Sequence, residues 1–101
     1  MRLTPQQQTA IRTTVAETFG YDANVWLFGS RVDAHKRGGD IDLLIKTKES
    51  DVTAIVSAEP AFLTKLQMKL GEQKIDVLVD YPTRKYTPPI FTIAKQTGIQ
   101  L

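Results

Sequence analysis

Residues 27–45 read LFGSRVDAHKRGGDIDLLI, and the rest of the chain can be organised around this stretch. Val25-Trp26-Leu27-Phe28 is a short apolar run, expected as a buried strand that ends at Gly29-Ser30. Residues 31–39 (RVDAHKRGG) are mostly polar and close on two glycines, which predicts a loop with room for one helical turn. Asp40-Ile41-Asp42-Leu43-Leu44-Ile45 then reads as a second strand. In a strand, residues i and i+2 share a face. Asp40 and Asp42 therefore stand side by side, with Ile41, Leu43 and Ile45 filling the other face.

Working outward, Thr4-Pro5 with Gln7 carries the pattern of a helix N-terminus, namely an N-cap, proline at the first helical position and a capping-box residue. Ile11, Val15 and Phe19 give one apolar face, and Gly20 stops a first helix over residues 5–19. Beyond the second strand, Asp51 caps a helix expected over 52–70 and closed by Gly71, with Ile55, Phe62, Leu63, Leu66 and Leu70 available to the core. Pro60 lies inside that span and is expected to break or kink it. Residues 74–79 (KIDVLV) form a third strand, 81–89 a loop, and Ile90, Phe91, Ile93 and Ala94 open a short last helix stopped by Gly98. Ile99-Gln100-Leu101 can add an edge strand. Strands alternating with helices predict an α+β sandwich, a small mixed sheet packed with helices. At 101 residues the chain is expected to be a single domain, residues 1–101.

Composition narrows the chemistry. The absence of cysteine excludes disulfides, thiolate metal sites and thiol nucleophiles. No apolar run approaches the ~20 residues of a membrane span, and the N-terminus lacks the apolar core of a signal peptide, so a cytoplasmic protein with no membrane partner is expected. A net charge of +2, with basic residues scattered among acids, gives no concentrated stripe of the kind nucleic-acid binders carry. Nucleic acid is accordingly not an expected partner.

Two neighbouring carboxylates repel, and one tends to hold its proton unless a cation intervenes. Oxygen donors suit Mg²⁺, which takes few protein ligands and completes its shell with water and phosphate. Asp76, on the third strand, supplies a further carboxylate, so that Asp40, Asp42 and Asp76 are the candidate catalytic and metal-binding residues. Two metal ions about 3.5–4 Å apart can activate an attacking oxygen and stabilise a leaving one. Gly29 and Ser30 are candidates for holding phosphate through backbone N–H groups and a hydroxyl. Arg31, Lys36 and Arg37 are candidates for neutralising the charge of a bound triphosphate. His35, in a polar loop, is expected to be exposed. Trp26 and Phe28 are expected to pack in the core, and Tyr81 and Tyr86 lie in the loop after the third strand.

The stretch GSRVDAHKRGGDIDLLI resembles the Gly-Ser…Asp-x-Asp signature of the DNA polymerase β-like nucleotidyltransferases, and the chain is similar to their minimal (MNT) domains, some of which are antitoxins. The resemblance implies the polymerase β-like nucleotidyltransferase fold, two Mg²⁺ ions (or Mn²⁺) on Asp40, Asp42 and Asp76, and a nucleoside triphosphate, ATP for preference, on Gly29 and Ser30. It further implies transfer of AMP to a protein or small acceptor, and a HEPN-family toxin as partner. Residues 31–39 make a span one residue shorter than the antitoxin pattern typically has, a departure that bears on the antitoxin role more than on the fold. The alternative is a binding module, a non-catalytic antitoxin that neutralises its partner by contact through Ile90, Phe91, Ile93, Ile99 and Leu101.

Overall fold

The computed structural model describes residues 1–35 and 39–101. Helix α1 (Pro5–Phe19) begins with a reciprocal cap: Thr4 Oγ1 accepts from the Gln7 N–H at 3.1 Å, and Gln7 Oε1 accepts from the Thr4 N–H at 2.9 Å. Strand β1 (Asn24–Phe28) leads into a single 3₁₀ turn (Gly29–Val32), and β2 (Ile41–Lys46) follows. Helix α2 (Val52–Leu70), capped by Asp51 on the Thr53 N–H at 3.0 Å, crosses to β3 (Ile75–Asp80). Helix α3 (Pro89–Thr97) and the two-residue strand β4 (Ile99–Gln100) complete the chain. The expected α+β fold is what forms. The second and third strands begin one residue later than expected, which leaves Asp40 just before β2 and Lys74 just before β3.

The sheet runs in the order β3-β2-β1-β4; β1 pairs antiparallel with both β2 and β4, and β2 pairs parallel with β3. Its two faces are unequal. Val25, Leu27, Ile41, Leu43, Ile45, Ile75 and Val79 pack on the α1–α2 side, where Ile11, Val15, Phe19, Ile55, Phe62 and Leu66 close the main core. Phe19 and Phe62 meet there with ring centroids 5.9 Å apart and planes tilted by 59°, a geometry aromatic pairs favour. The opposite face is covered only in part. Leu44 packs with Phe91 and Ala94 of α3, flanked by Trp26, Phe28 and Leu78. The expected core role of Trp26 and Phe28 is therefore met on this smaller side.

Pro60 does not break α2, which runs through it from Val52 to Leu70. A proline within a helix removes one N–H and leaves the carbonyl four residues earlier without its partner. Here that residue is Val56, 65% exposed, and Pro60 is exposed as well, so water can take the freed carbonyl. Among the described residues no helix is long and apolar enough to cross a membrane.

Candidate active site

The site lies on the partly covered face, at the end of β1 and the start of β2 and β3. In the β1–β2 ladder Phe28 stands opposite Asp42, so the chain leaves β1 beside that carboxylate. It does so through Gly29, at φ +73°, a conformation that side-chain-bearing residues avoid. Space demands glycine too: a Cβ on Gly29 would overlap Asp42 Oδ2 and sit 3.1 Å from its Cγ. The return to β2 has the same construction. Gly39 has φ +91°, and a Cβ there would overlap Ser30 Oγ. The Gly-Ser turn and the Asp-x-Asp strand are thus interlocked, Gly29 against Asp42 and Ser30 against Gly39.

Parallel pairing sets Asp42 opposite Asp76, on the same face of the sheet. Asp42 holds its proton above the ordinary carboxylate range, first because burial disfavours its charge and then because Asp76 and Asp40 add negative charge nearby; the Asp76 carboxyl is close enough to share a hydrogen bond with it. Asp40 is drawn to Lys74, whose Nζ lies 3.4 Å from Asp40 Oδ2. The Lys74 ammonium is held protonated above its usual value, chiefly by hydrogen bonding to Asp40 and then by the charges of Asp40 and Asp76. Among the described residues no three His, Cys, Asp or Glu side chains converge to cage an ion. Like charge explains the spread: Asp42 and Asp76 already repel, and Lys74 offers Asp40 a partner elsewhere. The donors present are nonetheless the kind a divalent cation takes. They are all oxygens: half-buried Asp42 and exposed Asp76 form a pair that carries an electrostatic conflict, with a third carboxylate within range.

Of the three cations expected at phosphate, Arg31 is among the described residues. Arg31 Nη1 donates to the Arg2 carbonyl at 2.9 Å and Nε to the Gly39 carbonyl at 3.3 Å, so its guanidinium braces the loop. Lys36 and Arg37 lie outside the described residues. His35 is exposed, as expected, with its backbone N–H donating to Asp33 Oδ1 at 2.8 Å. Tyr81 is half-buried under the Arg84 guanidinium, 4.8 Å from the ring centroid, while Tyr86 is exposed.

Two residues of this neighbourhood escape a reading of the sequence. Lys74 could have been found, since it stands two residues before Asp76 and therefore on the same face of β3. Arg2 gives no such signal. Its Nε and Nη2 donate to the carbonyls of Asp33 (2.9 Å) and Ser30 (3.0 Å), partners about thirty residues away that carry no mark in a sequence.

Bare backbone at Gly29 lies beside Asp42, with Asp40 and Asp76 nearby, and carboxylate oxygens are the kind of group that metal-assisted displacement at phosphorus uses. A comparison with curated proteins returns no match. The model of the nucleotidyltransferase domain matches residues 9–97, which include Gly29, Ser30, Asp40, Asp42 and Asp76 and leave out Arg2. Over that span the chain carries the interlocked turn and the carboxylates on one mixed sheet, and it belongs to the nucleotidyltransferase domain family, the transferases that move a nucleoside monophosphate from a triphosphate donor.

Proposed function

We propose that this chain transfers AMP from ATP to a protein or small acceptor, with Asp40, Asp42 and Asp76 as catalytic residues. The observation that carries the reading is the placement of Asp42 against both Gly29 and Asp76, which brings the phosphate turn and the carboxylates to one point. Gly29 and Ser30 receive the triphosphate, the first by offering bare backbone and the second by its hydroxyl. Asp40, Asp42 and Asp76 would hold two divalent ions, Mg²⁺ or Mn²⁺, which supply charge neutralisation and Lewis acidity at phosphorus when bound. Asp76, exposed on the edge strand, is the carboxylate an approaching acceptor meets first. The acceptor oxygen forms a bond to the α-phosphorus while the bond to pyrophosphate breaks, and the acceptor proton is lost as the new ester forms. Positioning does most of the work in such a displacement.

The acceptor we favour is a HEPN-family toxin, which the AMP would silence in the cytoplasm. The reading rests on the resemblance of the Gly-Ser…Asp-Ile-Asp stretch to MNT antitoxins. Incubation with labelled ATP, Mg²⁺ and a HEPN protein encoded beside this chain should label that protein. Absence of transfer with every nucleotide and metal tried would overturn the proposal. A second reading, neutralisation by contact, has one observation in its favour: Ile90 and Ile93 of α3 are 41% and 49% exposed. Phe91, by contrast, is buried in the smaller core. The Asp40→Asn/Asp42→Asn double variant separates the two readings, because contact would survive it and catalysis would not.

A further inference from the structure

Residues 1–3 precede the first helix and lie outside the span that matches the family model, yet one of them, Arg2, is bonded to the phosphate turn. Three donors of Arg2 reach carbonyls within that turn or at its end. Its backbone N–H donates to the Arg31 carbonyl at 2.8 Å, its Nη2 to the Ser30 carbonyl at 3.0 Å and its Nε to the Asp33 carbonyl at 2.9 Å. Arg31 answers with Nη1 on the Arg2 carbonyl at 2.9 Å, and its Nε reaches Gly39, where the loop returns to β2. The two arginines form a reciprocal clasp that ties the start of the chain, the turn and the strand entry together.

The geometry of the peptide group gives this clasp a consequence. The unit is planar and trans, so a C=O and the N–H of the same unit point in opposite directions. Pinning the Ser30 and Arg31 carbonyls toward Arg2 therefore fixes the planes of these two peptide units, and with them the course of the backbone from Gly29 to Val32. A guanidinium suits this task, because its rigid fork can satisfy separate acceptors at fixed angles, whereas an ammonium is a point charge on a flexible stem. Val32 packs on the main core, but none of the residues from Gly29 to Val32 is fully buried.

We infer that Arg2 is a positioning residue for the donor nucleotide: it sets the backbone of the Gly29–Val32 turn in the orientation that receives the triphosphate, and acts through that turn rather than on phosphate itself. The inference rests on the nucleotidyltransferase reading of the turn. It differs from a role in direct charge neutralisation, in which any cation at this position would serve.

The test compares the wild-type chain with Arg2→Met and Arg2→Lys. Amide hydrogen exchange in the free protein reads the clasp itself, and calorimetric titration with Mg²⁺ and a non-hydrolysable ATP analogue reads its use. Loss of two charge-assisted hydrogen bonds to the turn should speed exchange of the Asp33 amide, which donates to Ser30, by about tenfold or more, and raise the Kd for the analogue by about tenfold. Arg2→Lys should rescue neither, since one ammonium cannot span the Ser30 and Asp33 carbonyls. Exchange unchanged in Arg2→Met, a Kd within about twofold of wild type, or full rescue by Arg2→Lys would each overturn the inference. Should Arg2→Met fail to fold, Arg2→Lys alone decides between fork and charge. A wild-type chain that bound no nucleotide would bring down the functional reading together with the inference, whereas a variant that binds as well as wild type would bring down only the inference.

Discussion

Replacing Gly29 with alanine adds one carbon at the point where the turn meets Asp42, and the outcome can be worked in parts. The positive φ of +73° costs a residue with a side chain about 1–3 kcal/mol. Overlap of the new Cβ with Asp42 Oδ2 forces the carboxylate or the turn to move, and overpacking of this kind costs about 1–3 kcal/mol more. The sum, on the order of 2–6 kcal/mol, is a large part of the roughly 5–15 kcal/mol by which domains are stable, and each kcal/mol lowers the melting temperature of a domain this size by about 4–8 °C. A double-mutant cycle separates the two parts. Truncation of Asp42 to alanine leaves only its Cβ near the new methyl group, at 3.4 Å, so the overlap is relieved and the backbone strain stays. Urea unfolding of wild type, Gly29→Ala, Asp42→Ala and the double variant should therefore give a coupling of about 1–3 kcal/mol, with Gly29→Ala less harmful when Asp42 is absent. A coupling below about 0.5 kcal/mol would refute the idea that glycine is required here to admit the carboxylate.

Other expectations can be checked with the same unfolding measurements. Because Asp42 holds its proton more tightly in the folded state than in the unfolded chain, its contribution to stability is full below an unfolded pKa of about 3.9 and is lost as pH rises through the raised folded value. Asp42→Asn, which mimics the neutral form, should thus be more stable than wild type at neutral pH, with the gap closing in acid; equal midpoints at pH about 7 would sink this expectation. Glu17 has the opposite sign. Its pKa is lowered, first by the hydrogen bond from Lys69 Nζ at 3.0 Å, so any penalty of Glu17→Gln should be present at neutral pH and fade as pH falls through the lowered value. Phe62→Ala removes a fully buried ring packed on Phe19 and should cost about 3–5 kcal/mol; a loss below about 1 kcal/mol would mean the main core is not where Phe62 places it.

The sequence made the local features legible and left the distant ones hidden. Thr4, Pro5 and Gln7 specify the start of α1 through contacts three residues apart, and they form as expected. The alternation of Ile41, Leu43 and Ile45 with Asp42 gives the faces of β2, because a period of two needs no knowledge of the rest of the chain. Pro60 was expected to break or kink α2, and the helix runs through it unbroken with Pro60 on an exposed side. Arg31 reads from the sequence as a charge for phosphate, whereas the bonds of its Nη1 and Nε to the carbonyls of Arg2 and Gly39 could not be read there. Those acceptors are main chain, identical in every residue, and only the fold selects them. Asp76 was legible as a companion of Asp42, but the register that sets the two opposite each other was not, because it depends on a parallel pairing reached through a nineteen-residue crossover helix.

That register joins folding and chemistry in a single variable. Were β3 to slide by one residue along β2, Asp76 would turn toward the main core and Val77 toward the site. The apolar alternation that prevents the slide also keeps the acids paired, so pressure to fold preserves the geometry even where nothing acts on the reaction. A descendant that lost its aspartates would keep the platform intact. Restoring them at positions 42 and 76 would rebuild the pair without remodelling the backbone, which makes the sheet a durable template from which activity can be lost and regained.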